Sequence, residues 1–264
     1  MRDQRPRKRS LSRAVIAAVA VLLAAGAIAA VALGGDDDGG GHSQVRGFDP
    51  KPGGRGDPFP SDARSAHHYP VANLRRSGVL YDRPGGKPKV RIAGETEWNT
   101  PRVLAVVKRR GRWVAVLAPE LKNGRVGWLR MRQVRSFDTV SWSLHADLSK
   151  RLLVVRRGGK TIRRIRVGVG REGHSTPKGR FAVTDRLKVR DPNSPYGCCV
   201  LALSGHQTHL PPGWPGGDRL AVHATSDLSG LGNAVSLGCM RSHPEQARWL
   251  IGNVPLGSPV FIRG

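Results

Sequence analysis

The chain has 264 residues, too few for several large domains but enough for one full core plus a smaller module, since domains commonly run about 100–150 residues. It carries 44 Lys and Arg against 19 Asp and Glu, a formal net charge of +25. That surplus suits an anionic partner (nucleic acid, phospholipid or an anionic wall polymer), and charge alone does not choose among them.

The first 33 residues narrow the choice. Arg2, Arg5, Arg7, Lys8, Arg9 and Arg13 precede an uncharged run, Ala14 to Leu33, of Ala, Val, Ile, Leu and one Gly. Twenty apolar residues at about 1.5 Å each span about 30 Å, the thickness of a bilayer core. Residues 1–13 are thus expected to form a basic cytoplasmic tail and 14–33 a transmembrane signal-anchor, with the rest of the chain outside the cell membrane. A cleaved secretory signal is the alternative, because Ala-x-Ala triplets lie between Ala27 and Ala32, but the run exceeds the usual 7–15 residue apolar region. Either way the functional part is extracytoplasmic, and nucleic acid drops out as a partner. Residues 34–66, rich in Gly, Asp, Pro and Ser, bury too little apolar surface to fold and read as a disordered linker.

Residues 67–140 alternate short β-rich runs with turns: Val79–Tyr81, Arg102–Lys108, Arg112–Leu117 and Val126–Met131, broken by Pro84-Gly85-Gly86, Arg110-Gly111 and Asn123-Gly124. That spacing predicts a small all-β barrel. The run VLAVVKRRGRWVAVLAPELKNGRVGWLRMRQV, with a Trp-bearing strand and a later Gly-Trp strand, resembles bacterial SH3-like domains. The resemblance implies either a spacer or a module that binds anionic cell-wall polymers.

Residues 141–264 are again mostly strands, at Ser143–Asp147, Arg151–Arg156, Thr161–Val169, Gly179–Lys188, Cys199–Ser204 and Arg219–His223. Only Pro244–Ile251 reads as helix, with Ser242 as the expected N-cap. The predicted fold class is therefore mainly β: an N-terminal transmembrane helix, a small β-barrel, then a β-rich domain with one short C-terminal helix.

The match of Gly168, Gly170 and Gly173 to G-x-G-x-x-G is followed by turn residues and a strand, not by the helix that would receive a pyrophosphate. Cys198, Cys199, His206, His209, His223, Cys239 and His243 show no zinc spacing, so neither metal nor cofactor is expected, and His206 and His209 read as surface-loop residues. Three cysteines in an oxidising location leave at least one free. Adjacent cysteines such as Cys198 and Cys199 rarely bridge each other.

The strongest constellation is Leu220-Ala221-Val222-His223, then Val235-Ser236-Leu237-Gly238-Cys239-Met240-Arg241, with sixteen residues from His to Cys. A free thiol near pKa 8.5 is only a few per cent ionised at neutral pH, so a cysteine nucleophile needs a base nearby. Cys239 and His223 are the candidate pair. Gly238 permits a tight turn, and the backbone amides of Leu237, Gly238 and Cys239 are the candidate oxyanion donors.

These segments, in order, resemble the L,D-transpeptidase catalytic domain, the YkuD domain: VGVGREGHSTPKGRFAV, SPYGCCVLALSG, LAVHATSD and GNAVSLGCMRSHPEQARWLIGNVPLGSPVFI. The resemblance implies a cysteine acyltransferase acting on peptidoglycan stem peptides. Cys239 would form a thioester with a tetrapeptide donor, His223 would shuttle the proton, and a neighbouring amine would complete a 3→3 cross-link. It also makes Ser236, Tyr196 and Arg241 candidate substrate contacts. Arg241 would pair a stem carboxylate or else form a loop salt bridge, and Tyr196 would line the cleft or else pack. Two positions depart from the family pattern. Leu237 stands where its second histidine is usual, and Ala224 replaces the Gly or Ser after the first, where a backbone carbonyl orients the imidazole. Water in place of the amine would make an L,D-carboxypeptidase, and the Leu237 departure admits a catalytically silent wall-binding homologue.

Overall fold

The computed structural model describes residues 59, 60 and 65–264. The expected tail and membrane span, and most of the expected linker, lie outside these residues. Among the described residues no helix is long and apolar enough to cross a membrane.

Two sheets divide the described chain. The first contains β1 (Tyr69–Leu74), β2 (Ser77–Tyr81), β3 (Pro88–Ala93), β4 (Val103–Arg110), β5 (Trp113–Val116), β6 (Gly127–Arg130) and β7 (Val134–Val140). Its order is β3-β2-β6-β5-β4-β1-β7 and every pairing is antiparallel. Its core of Leu80, Ile92, Leu104, Val114, Val116 and Leu129 is fully shielded from water. These are β-branched and leucine side chains on the inward face of alternating strands, as period-two patterning requires.

The second sheet holds β8 (Trp142–Asp147), β9 (Leu152–Arg157), β10 (Lys160–Arg166), β12 (Gly179–Lys188), β13 (Cys199–His206), β14 (Arg219–Ala224), β16 (Met240–Ser242) and β17 (Pro259–Arg263). The order is β10-β9-β8-β17-β12-β13-β14-β16, with β17 parallel to β8 and β16 parallel to β14. A small parallel pair joins β11 (Val169–Gly170) to β15 (Ala234–Ser236). After β11 the chain turns into β12, so no helix begins at the glycine-rich segment.

The one α-helix among the described residues, α1 (Pro244–Asn253), buries Ala247, Leu250 and Ile251, a three-four spaced stripe, against the second sheet. Its N-cap is His243, whose Nδ1 accepts from the Glu245 amide, rather than the expected Ser242. Parallel pairing with β14 reaches as far as Ala224↔Ser242, so Ser242 remains strand and its hydroxyl donates to the His223 carbonyl.

The strands expected from alternation are present with ends moved by one to three residues, and Gly179–Lys188 has the expected bounds. The missed strands are β1, β3, β7, β11, β15 and β16. All are short, interrupted by polar residues or begun at proline, and all but β3, which pairs with neighbouring β2, have partners distant in sequence.

The two sheets are packed together. Ala105 and Leu117 of the first module meet Ala182 of β12 in a buried cluster. Gly257, with φ of +78°, brings the turn before β17 onto Val71 and Val103, where any Cβ would collide. Asn123 exchanges two hydrogen bonds with the backbone of His206, at 2.7 and 2.9 Å. His206 thus ends β13 at the junction and is not the surface-loop residue expected; its ring also meets Asp218 and the Pro119 carbonyl. The Thr96 hydroxyl donates to Asp185, a carboxylate wholly removed from solvent.

A buried carboxylate oxygen stripped of its donor costs about 1–3 kcal/mol. Thr96→Val, nearly isosteric, is therefore expected to lower stability by about that amount in urea or thermal unfolding. An unchanged midpoint would show that this contact does not help to hold the modules together.

Candidate active site

Cys239 immediately precedes β16, and the parallel register Val222↔Met240 and His223↔Arg241 lays it beside the first half of β14. Its thiol donates to the Arg219 carbonyl at 3.7 Å. The residue as a whole is intermediate in exposure. Burial nevertheless pushes the thiol pKa up to about 11, against smaller opposing pulls from the Ala221 amide and the Arg241 guanidinium. Desolvation of the anion outweighs those two stabilising contacts.

His223 lies in β14 and is 4% exposed. Its Nδ1 meets the Ala224 carbonyl at 2.7 Å. Burial lowers its pKa to about 4, and Arg241 lowers it too, while the Ala224 and Tyr196 carbonyls pull the other way. With imidazole near 4 and thiol near 11, the resting pair is neutral. Among the described residues no hydrogen bond joins Cys239 to His223; the thiol is turned to Arg219 instead.

The turn between β15 and β16 is held from within. Ser236, 2% exposed, donates to the Cys239 carbonyl at 2.6 Å and accepts from the Gly238 amide at 3.0 Å. In this structure Ser236 therefore braces the turn, and the Gly238 amide is engaged by its hydroxyl. The amides of Leu237 and Cys239 have no hydrogen-bond partner among the described residues.

Gln207, which no sequence pattern marks, fastens this turn to the rest of the site. It is 5% exposed, and its Nε2 lies 2.9 Å from the Leu237 carbonyl, 3.0 Å from that of His174 and 3.1 Å from that of Ser175. Its Oε1 accepts from the His209 amide at 3.0 Å. Gly238 has φ of +124°, and a Cβ there would collide with Gln207 Nε2, so glycine is required both by conformation and by this contact. His209 itself is exposed, as expected.

Tyr196 stands over His223 edge-on, ring centroids 5.2 Å apart, and its hydroxyl donates to the Gly216 carbonyl at 3.2 Å. Burial raises its phenol pKa, and the proximity of Cys239 adds to the rise. Arg241 is half-buried, pairs with no carboxylate among the described residues, and has a buried Nε without a partner. The loop salt bridge is therefore not formed. Cys198 and Cys199 are joined in a disulfide, contrary to the expectation for adjacent cysteines, at the start of β13 and two residues after Tyr196. Cys239 is the free cysteine. No cluster of three or more His, Cys, Asp or Glu among the described residues is arranged to hold a metal ion.

Arg219, whose carbonyl receives the Cys239 thiol, was also missed. Its guanidinium bonds the Leu203 carbonyl at 3.0 Å and the Thr184 hydroxyl at 2.7 Å, pairs with Glu97, and lies 5.2 Å from the Trp98 ring centre. Glu97 and Trp98 belong to the first module, which therefore reaches the strand that flanks the thiol. Only three-dimensional contact joins residues this distant in the chain.

Comparison with known proteins finds a similarity over the second half of the chain. Residues 141–262 match the model of the YkuD family, described as the L,D-transpeptidase catalytic domain. A relative from Bacillus licheniformis, provisionally named L,D-transpeptidase YkuD, is 28% identical over 129 residues, covering 49% of this chain and 70% of its own. Its counterpart from Bacillus subtilis strain 168, named likewise, is 26% identical over 124 residues, covering 47% and 67%. The crystal structure of an L,D-transpeptidase from Mycobacterium tuberculosis H37Rv covers 73% of this chain and 95% of its own, with 14% identity and a TM-score of 0.42. Residues 141–262, the part built on the second sheet, are thus similar to the L,D-transpeptidase catalytic domain of the YkuD type.

Two measurements follow from this geometry. Gln207→Ala leaves three carbonyls and one amide without their partner and opens a void, so a loss of about 2–4 kcal/mol is expected in chemical unfolding, with faster amide exchange in residues 236–239. Exchange there that matches wild type would show the turn to be held by Ser236 alone. The second concerns pH. His223 is depressed from 6.5 to about 4 in the fold, so between those values the unfolded chain binds a proton that the folded chain does not. Stability is full above about 6.5 and falls as pH drops toward 4, by about 3 kcal/mol. His223→Gln should flatten this part of the stability profile; an unaltered slope would mean that the imidazole titrates normally.

Proposed function

We propose that the protein is a peptidoglycan L,D-transpeptidase that works through a thioester on Cys239. The observation that carries this reading is the free cysteine set against β14, the strand that bears a buried neutral imidazole, inside a stretch that matches the L,D-transpeptidase family model. Cys239 swings away from the Arg219 carbonyl toward His223, which takes its proton as the sulfur attacks the carbonyl of the third stem-peptide residue. Because the resting pair is neutral, deprotonation accompanies attack rather than preceding it. The amides of Leu237 and Cys239 stabilise the oxyanion. His223 returns the proton to the departing D-Ala amine, and the side-chain amine of a neighbouring stem resolves the thioester into a 3→3 link.

Arg241, a half-buried guanidinium with no carboxylate partner, suits bidentate recognition of a stem carboxylate. Tyr196 closes the other side of the cleft over His223. Residues 67–140 act as an SH3-like module, a reading supported by the Trp and Gly-Trp strands and their antiparallel order. The basic tail and apolar run at residues 2–33 support a single-pass anchor with the catalytic domain extracytoplasmic.

A second reading, a catalytically silent wall-binding homologue, is favoured by the thiol's bond to Arg219 and by Leu237 in place of histidine. Acylation separates the two. Intact-protein mass spectrometry with a carbapenem should give an adduct that Cys239→Ala abolishes. The wild-type rate should be nearly level from about pH 5 to 9, because an imidazole near 4 is already in its basic form. His223→Ala should cost about 10²–10⁴ in rate and convert the plateau into a rise of about tenfold per pH unit, as an unassisted thiol ionises. No adduct at any pH would leave only the silent reading, and a His223→Ala profile like wild type would remove His223 as the base.

A further inference from the structure

The described part of the first module, residues 65–140, holds sixteen Lys and Arg against five Asp and Glu. Part of that charge is gathered in one place. A cavity of about 560 Å³ is lined by Arg75, Arg76, Ser77, Gln133 and Arg135, with no acidic residue in its wall.

The register of the sheet builds this site. Leu74 at the end of β1 pairs with Val134 at the start of β7, and both are buried. Successive residues of a strand face opposite ways, so Arg75 beside Leu74, and Gln133 and Arg135 on either side of Val134, turn to the outer face together. Arg76 follows in the two-residue link to β2, where the close approach of Gly94 to its carbonyl fixes the backbone. The Leu74 amide is held by the Arg102 carbonyl at 3.0 Å, and Arg102 pairs with Glu120. The three guanidinium groups thus stand on a backbone secured from both sides.

Among the described residues none of the three pairs with a carboxylate. The Gln133 side-chain oxygen is buried without a partner. Like charges brought together without a counter-charge repel, and planar guanidinium forks match the oxygens of a phosphate. The volume lies within the range of about 300–1,000 Å³ that holds organic ligands, well beyond one phosphate group. Gln133 and Ser77 add neutral polar groups between the cations.

The geometry points to a binding site for a phosphate-bearing anionic polymer in the cavity of Arg75, Arg76 and Arg135, separate from Cys239. Consecutive phosphates of one chain meet the three guanidinium groups, and the polar groups take what links them. The site would hold the enzyme on a polyanion whatever the chemistry at Cys239, so it does not rest on the transpeptidase reading.

The test is binding of long-chain inorganic polyphosphate to the full-length protein in detergent, by light-scattering-free fluorescence titration at two ionic strengths. Arg75→Gln/Arg76→Gln/Arg135→Gln should weaken binding at least tenfold. A control with equal net charge, Arg110→Gln/Arg112→Gln/Lys122→Gln, removes three exposed cations elsewhere in the module and should change affinity less than threefold. All six residues are exposed, and matching thermal midpoints verify folding. Equal losses in the two variants would mean that the whole basic surface binds without a site, and would overturn the proposal. So would failure of the wild type to bind polyphosphate, or binding only to vesicles containing anionic lipid, which would make the cavity a membrane contact.

Discussion

The parallel pairing of β14 with β16 is the constraint on which the candidate site depends. Parallel strands cannot be joined by a tight hairpin, so the chain between His223 and Cys239 must leave the sheet and return. It leaves through a short 3-10 turn at Leu228–Gly230, runs as β15 beside β11, and re-enters through the turn at Leu237 and Gly238. Three register pairs, Val222↔Met240, His223↔Arg241 and Ala224↔Ser242, then fix both ends of the excursion. Because Cys239 sits one residue before the pairing begins, its side chain is placed by the sheet while its backbone retains the geometry of a turn.

That turn is polar inside, with Ser236 and Gly238 buried. Ser236 satisfies one amide and one carbonyl within it, and Gln207 ties its Leu237 carbonyl to those of His174 and Ser175 in the loop between β11 and β12. Buried polar groups of this kind are costly unless each finds a partner, and once satisfied they select one arrangement. The same burial sets the electrostatics. It holds His223 neutral by lowering its affinity for a proton and holds Cys239 neutral by penalising its anion. Desolvation acts in opposite directions on a base and an acid, so a shared dry environment yields an uncharged pair without any direct bond between them.

The first module contributes to this environment. Arg219 presents its carbonyl to the thiol and its guanidinium to Glu97, so the strand beside the nucleophile is braced across the junction of the two sheets. The buried Thr96–Asp185 bond and the Asn123–His206 exchange belong to the same junction. Within a low-dielectric boundary such contacts are directional, which suits them to fixing how two modules meet better than apolar packing alone.

The sequence by itself determined the mainly β character, most strands of both modules, the start of the helix at Pro244 and the short stretch that holds His223 and Cys239. Those features are local: alternation reports which face of a strand is buried, helix ends carry turn residues, and Leu220 to Arg241 fall within one short stretch. Tertiary structure alone decided that Ser236 and the Gly238 amide are spent on each other, that Cys198 and Cys199 are bonded, that His243 caps the helix, and that Gln207 and Arg219 serve the site. Each depends on hydrogen-bond partners or register pairs whose nearness in space no local pattern encodes. A glutamine or an arginine at a strand end looks like any solvated polar residue until the fold supplies the carbonyls and carboxylates that it meets.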